Sequence, residues 1–508
     1  MLRPLLPAVL AFAPLAAAPV ARLPADRAGG VDPDTHLVLT FSSPPALGKS
    51  GLIRIYDAAD HRLVDTLDLS VPAGPDPSGP RAPSPVHTPG EPALPRAGGF
   101  APGHPTNANT PRRPSAYQLT IIGGVVQGFH FRPVIIRGDT ATIYPHNNLL
   151  EYRHRYAVEI DPGVLTLADG SFGGIGPGGW TFATREAPPP ADAERVVVAA
   201  DGSGDFSTVQ GALDWAPDHP ARRITVFIRN GRYEEIVFCH DKHDLTLQGE
   251  SRDGVQISYG NNSVFNGPEP RPGGGYYPGG GGPSRRCSFA AYDCSGLILE
   301  DFSTSNTLKG QAEGLLLSGE RNLVRRVNVT GSGDALNLRG SAYFADCRIA
   351  GDGDTILGVG PAFFRRCELN SWGAYMWIRN PASNHGNVFV ECTFRPPSTP
   401  RRLGRNSDPV LARLPNNHGI NYPYAEAVLI DCKLQGIPPQ GWGPIDDDTS
   451  HLHLWEYHST NLADGRPADV SRRHPVSKQL TLPHDAQLIA RYSDPAFVLG
   501  GWNPEATR

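Results

Sequence analysis

LILEDF (297–302), LVRRV (323–327), YFADC (343–347), FFRRC (363–367), VFVEC (388–392) and VLIDC (428–432) are six variants of one short phrase. Each opens on an apolar pair or triplet, passes through a charged residue and closes on a small or apolar one. The closing position falls at Phe302, Val327, Cys347, Cys367, Cys392 and Cys432, with spacings of 25, 20, 20, 25 and 40 residues. Short strands that recur every 20–25 residues, without helical periodicity, predict a solenoid of β-coils. A right-handed parallel β-helix fits best, and equivalent positions of successive coils then stack about 4.8 Å apart.

Two other features follow the same register. The residue before each closing position runs Asp301, Arg326, Asp346, Arg366, Glu391, Asp431, and the first five alternate in sign. Opposite charges in adjacent coils favour that register, although a surface pair is worth only about 0–1 kcal/mol. Four of the seven cysteines share the closing row, where Cys packs as a small hydrophobe. An odd number of Cys excludes complete pairing. Cys287 and Cys294 flank a short strand and are the candidate disulfide.

The solenoid also places two acids. Asp334 lies seven residues after Val327, and Asp354 seven after Cys347, in GSGDALN (331–337) and GDGDTILG (351–358). Their separation of 20 residues equals the local coil length, so both fall in one column, with backbones about 4.8 Å apart. Carboxylates that close do not both ionise easily, so one of the pair is expected to hold a proton. Gly-Asp clusters also favour turns, and Asp352 is read as such a turn residue. A calcium loop is disfavoured, because GDGD lacks the oxygen set of a known loop.

Ahead of the repeats the chain changes character. THLVLTF (35–41), GLIRIYD (51–57), DTATIYP (139–145), HRYAVEID (154–161) and GGWTFAT (178–184) read as short strands separated by turns. They predict a β-sandwich over residues 30–184. A Pro/Gly/Ser-rich run within 73–116 cannot bury enough apolar surface to order itself and is expected to be a long loop. REAPPPADAER (185–195) marks a linker to the second unit, 196–500. The insertion NGPEPRPGGGYYPGGGGPSR (266–285) is flexible by composition, and WEYHSTNLADGRPADVSRRHP (455–475) is expected to cap the solenoid.

The N-terminus, MLRPLLPAVLAFAPLAAAPVA, has one cation, an apolar run and then small residues, the pattern of a secretory signal peptide over residues 1–21. Export to the periplasm or the medium is expected. The 508 residues carry a net charge of −5, which excludes a strongly basic nucleic-acid binder. With 57 Gly and 51 Pro, long loops and few long helices are expected. No membrane anchor is expected after the leader, and a monomer is expected.

From about residue 195 to 460 the chain resembles the pectin methylesterases. DGSGDFSTVQGALDWAP (201–217) looks like that family's opening stretch, and ITVFIRNGRYEEIV (224–237) and LTLQGESRDGVQIS (245–258) follow in the expected order. GQAEGLLLSGERNLVRRVNV (310–329), GSGDALN and GDGDTILG resemble the segments that carry the family's oxyanion-hole Gln, acid/base Asp and nucleophilic Asp, and GNVFVEC (386–392) matches the coil that follows. The strand run DPDTHLVLTFSSPP resembles Ig-like domains that precede catalytic domains in some secreted bacterial enzymes. The resemblance implies a pectin-lyase-like solenoid and an aspartyl esterase acting on methyl esters of pectin or oligogalacturonides, with no metal or organic cofactor.

In this chain those roles fall on Gln311, Asp334 and Asp354. The family's Arg beside the nucleophile has candidates in Arg413, which lies nearer the following strand, and Arg405 in LGRNSDP; Arg379 in MWIRNP is a third. Arg379, Trp377, Tyr375 and Trp442 are expected to touch the sugar, with Trp372, Tyr422 and Tyr424 as further groove candidates. Two positions depart from the family: Gly333 stands where a Gln usually precedes the first Asp, and no Trp follows the Arg. These departures keep open an esterase or thioesterase on smaller acyl substrates. A non-catalytic polysaccharide-binding solenoid would have a broken Asp pair. A lyase would want a calcium site, and a glycosidase wants its carboxylates further apart.

Overall fold

The computed structural model describes residues 19–80, 101–103, 115–125, 128–267, 285–398, 409–414, 422–446 and 448–506. Most of the signal-peptide stretch, most of the Pro-rich run and insertion, and Arg405 lie outside the described residues. Among the described residues no helix is long and apolar enough to cross a membrane.

Three parallel sheets run the length of the second unit, with eleven, nine and seven strands among the described residues. The chain visits them in rotation, one strand of each per coil, as the repeat predicts for a parallel β-helix. The phrases quoted above are strands of the eleven-stranded sheet, such as Asn322–Arg325, Ala342–Ala345, Ala362–Arg365 and Asn387–Val390. They pair in register, Val324↔Phe344↔Phe364↔Phe389, and the last three rings stack at 4.8 and 4.5 Å. The closing residues Phe302, Val327, Cys347, Cys367, Cys392 and Cys432 are all buried in one core.

The charged column marks the corner between sheets. Asp301, Arg326, Asp346, Arg366, Glu391 and Asp431 all take positive φ, between 51° and 60°. That conformation costs a non-glycine residue about 1–2 kcal/mol, and it turns each chain from the first sheet into the second. The charges pair in twos: Arg326 donates to Asp301 at 2.7 and 2.6 Å, and Arg366 to Asp346 at 2.8 and 3.0 Å.

The Cys287–Cys294 pair that the sequence allows does not form. None of the seven cysteines is in a disulfide, all are buried, and the Cys294 sulfur faces Cys239 at 3.7 Å. The cap expected over 455–475 is corrected in part: Ala468 packs against the core, but the first residues of the stretch are still coil. His453–Tyr457, whose burial alternates along the strand, and Thr460–Asn461 continue two of the sheets, pairing in parallel with Glu426–Ile430 and Lys433–Leu434. The helices Ala486–Tyr492 and Pro495–Val498 instead pack on the outer face of the eleven-stranded sheet, against Tyr343, Phe363 and Val428.

The first unit is built on two mainly antiparallel sheets of four and five strands, with two small two-stranded sheets beside them, and its core includes Trp180, Tyr156 and Phe182. Ala21–Leu23 pairs with Leu37–Thr40, so the sheet takes in residues ahead of the boundary expected at 30. The unit is anchored to the solenoid through the helix Val209–Trp215, whose Ala212 and Leu213 cover the open end of the core. Asp34 accepts from the Thr208 amide and hydroxyl at 2.8 and 2.7 Å and from the Ser207 amide. Glu235 accepts from the next two amides at 2.8 and 2.9 Å. These bonds satisfy donors that a helix start leaves open.

Two outcomes follow from this packing. Denatured protein without reductant should take up seven equivalents of an alkylating reagent; fewer would reveal a disulfide. Asp34→Ala strands buried donors that cost about 1–3 kcal/mol each, so unfolding by denaturant should show a loss of about 3 kcal/mol, and an unchanged midpoint would show that Asp34 carries no such weight.

Candidate active site

The seven-stranded sheet builds the site. Its strands pair as Leu315↔Leu336↔Ile356↔Met376↔Ala412. The residues two places earlier in these coils are Glu313, Asp334, Asp354, Ala374 and Val410. Asp334 and Asp354 therefore occupy neighbouring levels of one column, as their spacing predicts, and Glu313 precedes them as a third carboxylate. Asp354 has a positive φ of 46°, a conformation that bulkier residues rarely adopt.

Arg413 is the guanidinium on Asp354. Its Nε donates to Oδ1 at 2.6 Å and its Nη2 donates to Oδ2, a bidentate pair. Arg413 reaches Asp354 from the strand Ala412–Arg413, beyond Trp377, its partner in register. The Trp377 ring lies within 4.7 Å of the Arg413 guanidinium carbon and 4.6 Å of that of Arg379, within cation–π range of both. Arg379 is buried and lowers the proton affinity of Asp334.

Asp334 is almost wholly buried. Burial, reinforced by the Glu313 and Asp354 carboxylates and opposed by Arg286 and Arg379, pushes its carboxyl up to about 7. Arg286 donates through Nη2 to Asp334 Oδ2 at 2.9 Å and through Nη1 to Gln311 Oε1 at 2.8 Å, so one guanidinium ties the oxyanion-donor candidate to the acid/base candidate. Gln311, Asp334, Asp354, Arg413, Trp377 and Arg379 thus form one constellation.

Two expected sugar contacts are corrected. Tyr375 points into the solenoid and meets Phe394 edge-on at 5.2 Å, and Trp442 is buried in the same core. Each side chain faces inward, so apolar burial takes it away from the groove. Tyr424 is exposed and stacks on His451 at 4.6 Å, and Trp372 and Tyr422 are half-buried. Asp352 is a turn residue, as expected: it accepts from the Gly333 amide and the Ser332 hydroxyl. Gly333 itself has a φ of +69°, and a Cβ there would meet the Gly310 carbonyl oxygen at 2.6 Å. This backbone has no place for the Gln that the resemblance leads one to expect.

Sequence reasoning missed Glu313 and Arg286. Glu313 lies eleven residues after Phe302, whereas Asp334 and Asp354 lie seven after their closing residues, so a longer corner hides it from the repeat. Arg286 directly follows the 266–285 insertion, where the coil period is interrupted. The signal that could have found Glu313 is its place two residues before LLL (315–317), the same offset as from Asp334 to Leu336.

The pectinesterase family profile matches residues 195–493. Probable pectinesterase 30 of Arabidopsis thaliana is 29% identical over 297 residues, covering 56% of this chain and 55% of that protein. The chain spans about half the length of the first of the curated relatives it matches. The pectinesterase of Daucus carota is 25% identical over 325 residues, covering 60% of this chain and 93% of that protein. Among solved structures, the pectin methylesterase from carrot (23% identity, TM-score 0.48) covers 60% of this chain and 93% of its own. PemA from Erwinia chrysanthemi (21% identity, TM-score 0.46) covers 61% and 97%. With the profile spanning more than half its length, and the parallel solenoid and acid pair in place, this chain belongs to the pectinesterase family.

Proposed function

We propose that this chain hydrolyses the methyl esters of galacturonate units in pectin or its oligomers through an aspartyl acyl-enzyme. The observation that carries the reading is the division of labour in one column: Asp354 clamped by Arg413, and Asp334 one level away with its carboxyl pushed up to about 7. One is suited to attack, the other to carry a proton.

In this mechanism an Asp354 carboxylate oxygen attacks the ester carbonyl carbon. The carbonyl π pair moves onto oxygen, and the Gln311 side chain stabilises that oxyanion, an effect worth several kcal/mol in such sites. Collapse breaks the bond to methoxy oxygen, which takes the Asp334 proton and leaves as methanol. The product is a mixed anhydride on Asp354. Asp334, now a carboxylate, removes a proton from water as it attacks that anhydride. The galacturonate acid leaves, Asp354 is regenerated, and Asp334 again holds its proton. Trp377, beside Arg413, supports a sugar contact at the mouth of the site. The leader's composition supports an exported enzyme, and the first unit reads as an Ig-like support.

The closed seat at Gly333 and the inward Tyr375 and Trp442 favour one second reading, an esterase for smaller acyl substrates on the same acid pair. Methanol release from highly methylated pectin should be seen with wild type and fall at least about 10³-fold in Asp354→Asn. Release by neither folded protein, with hydrolysis of short nitrophenyl esters, would favour the second reading. Because Asp334 must carry a proton to the leaving group, kcat/KM should fall as pH rises through about 7, by about tenfold per unit beyond it. A profile flat to pH 9 would remove Asp334 from that role.

A further inference from the structure

Arg286 is a buried cation placed against the acid that has to stay protonated. Alone, it would work against the chemistry, because a guanidinium bonded to a carboxylate favours the charged form. Its Nη2 donates to Asp334 Oδ2 at 2.9 Å. The same guanidinium, however, turns its other edge to Glu313. Nε donates to both Glu313 oxygens at 2.7 Å, and Nη2 donates to Oε1 as well. The Glu313 side chain is wholly buried, and Oε1 also accepts from Asn337 Nδ2 at 3.1 Å. Burial would raise the Glu313 carboxyl, but Arg286 and Asn337 bring it below the usual carboxylate range, so Glu313 is the anion of this pair.

We propose that Glu313 is a positioning residue that sets the proton affinity of Asp334: by neutralising Arg286 it lets the guanidinium orient Asp334 and Gln311 without stripping Asp334 of its proton. The inference rests on the reading of Asp334 as the acid of an ester hydrolase. It goes further by assigning a buried ion pair, absent from the expected catalytic set, control of the pH range in which that acid works.

The other charges facing Asp334 do not substitute for Glu313. Asp354, one level on, is held by Arg413, so that pair is close to neutral. Arg379 adds a positive influence from the coil beyond, and Asp352 is engaged with the Gly333 amide. Without Glu313, the balance around Asp334 becomes more positive by one charge. At a few ångströms in a poorly solvated site, one unit charge is a multi-kcal/mol influence, easily enough to move a carboxyl by more than one pH unit.

The closing experiment compares wild type, Glu313→Gln and the double variant Arg286→Gln/Glu313→Gln. Glu313→Gln keeps the shape of the side chain and removes its charge. Its basic kcat/KM limb should move to lower pH by about one unit or more. The double variant, with both charges gone, should bring the limb back to within about half a unit of wild type. A Glu313→Gln limb that shifts by less than half a unit, or upward, overturns the proposal.

A second readout needs no turnover. Protein labelled with 13C at the aspartate carboxyl carbons can be titrated by NMR, with the Asp334 signal assigned by its loss in Asp334→Asn. The Asp334 midpoint should drop by the same unit or more in Glu313→Gln, and an unmoved midpoint overturns the proposal. If wild type releases no methanol from pectin, the functional reading fails, and this titration still decides what Glu313 does to Asp334.

Discussion

Every feature of the second unit depends on parallel pairing of each coil with the next, in register. Once the backbone ladder sets that translation, whatever sits at one position is delivered to the same place one level on. Phe344, Phe364 and Phe389 become a stack of rings, the closing residues become an interior row, and Asp334 and Asp354 become neighbours. A slip of one residue would turn inward side chains outward, so the bond network that holds the core also holds the acids in position. The site residues stand at or beside strand ends, where the ladder limits their freedom.

The same translation creates an electrostatic problem. Stacking like residues stacks like charges, and Glu313, Asp334 and Asp354 form three successive carboxylates. The structure resolves this by interleaving guanidiniums: Arg286 lies between Glu313 and Asp334, and Arg413 clamps Asp354. Each of these guanidiniums is bonded to an anion of its own, Glu313 or Asp354, and burial leaves Asp334 between them to hold a proton even with Arg379 nearby. The corner column of Asp301, Arg326, Asp346 and Arg366 follows the same alternation but is partly open to water, where a pair contributes little. The buried column is different, because removing one member there leaves an uncompensated charge out of contact with water.

Two of the contacts that join the sandwich to this machine bear on the site. Asp34, together with Asn147 and Asn148 on Asp214, holds the helix that closes the open end of the solenoid. Its Phe129 and Ile122 also cover Phe238 and Leu316 on the outer face of the seven-stranded sheet. Leu316 is continued in register by Asn337, Leu357, Trp377 and Arg413. The first unit therefore packs on the same sheet face that, a few coils later, presents Trp377 and Arg413.

The coil period, the interior row of cysteines and the shared column of Asp334 and Asp354 were legible in the sequence, because in a solenoid spacing along the chain becomes position in space. Where the period breaks, that legibility ends. Glu313 is hidden by a longer corner and Arg286 by an insertion, and the choice of Arg413 over Arg379 depends on which guanidinium can reach across Trp377 to Asp354. Tyr375 and Trp442 carry the right chemistry for a sugar contact, yet the side of the strand on which each falls sends them into the core. Sequence alone determined the repeat and the acids it stacks. Only the tertiary structure decided which charges surround those acids, because side chains arriving from different coils across irregular turns meet by geometry that no spacing records.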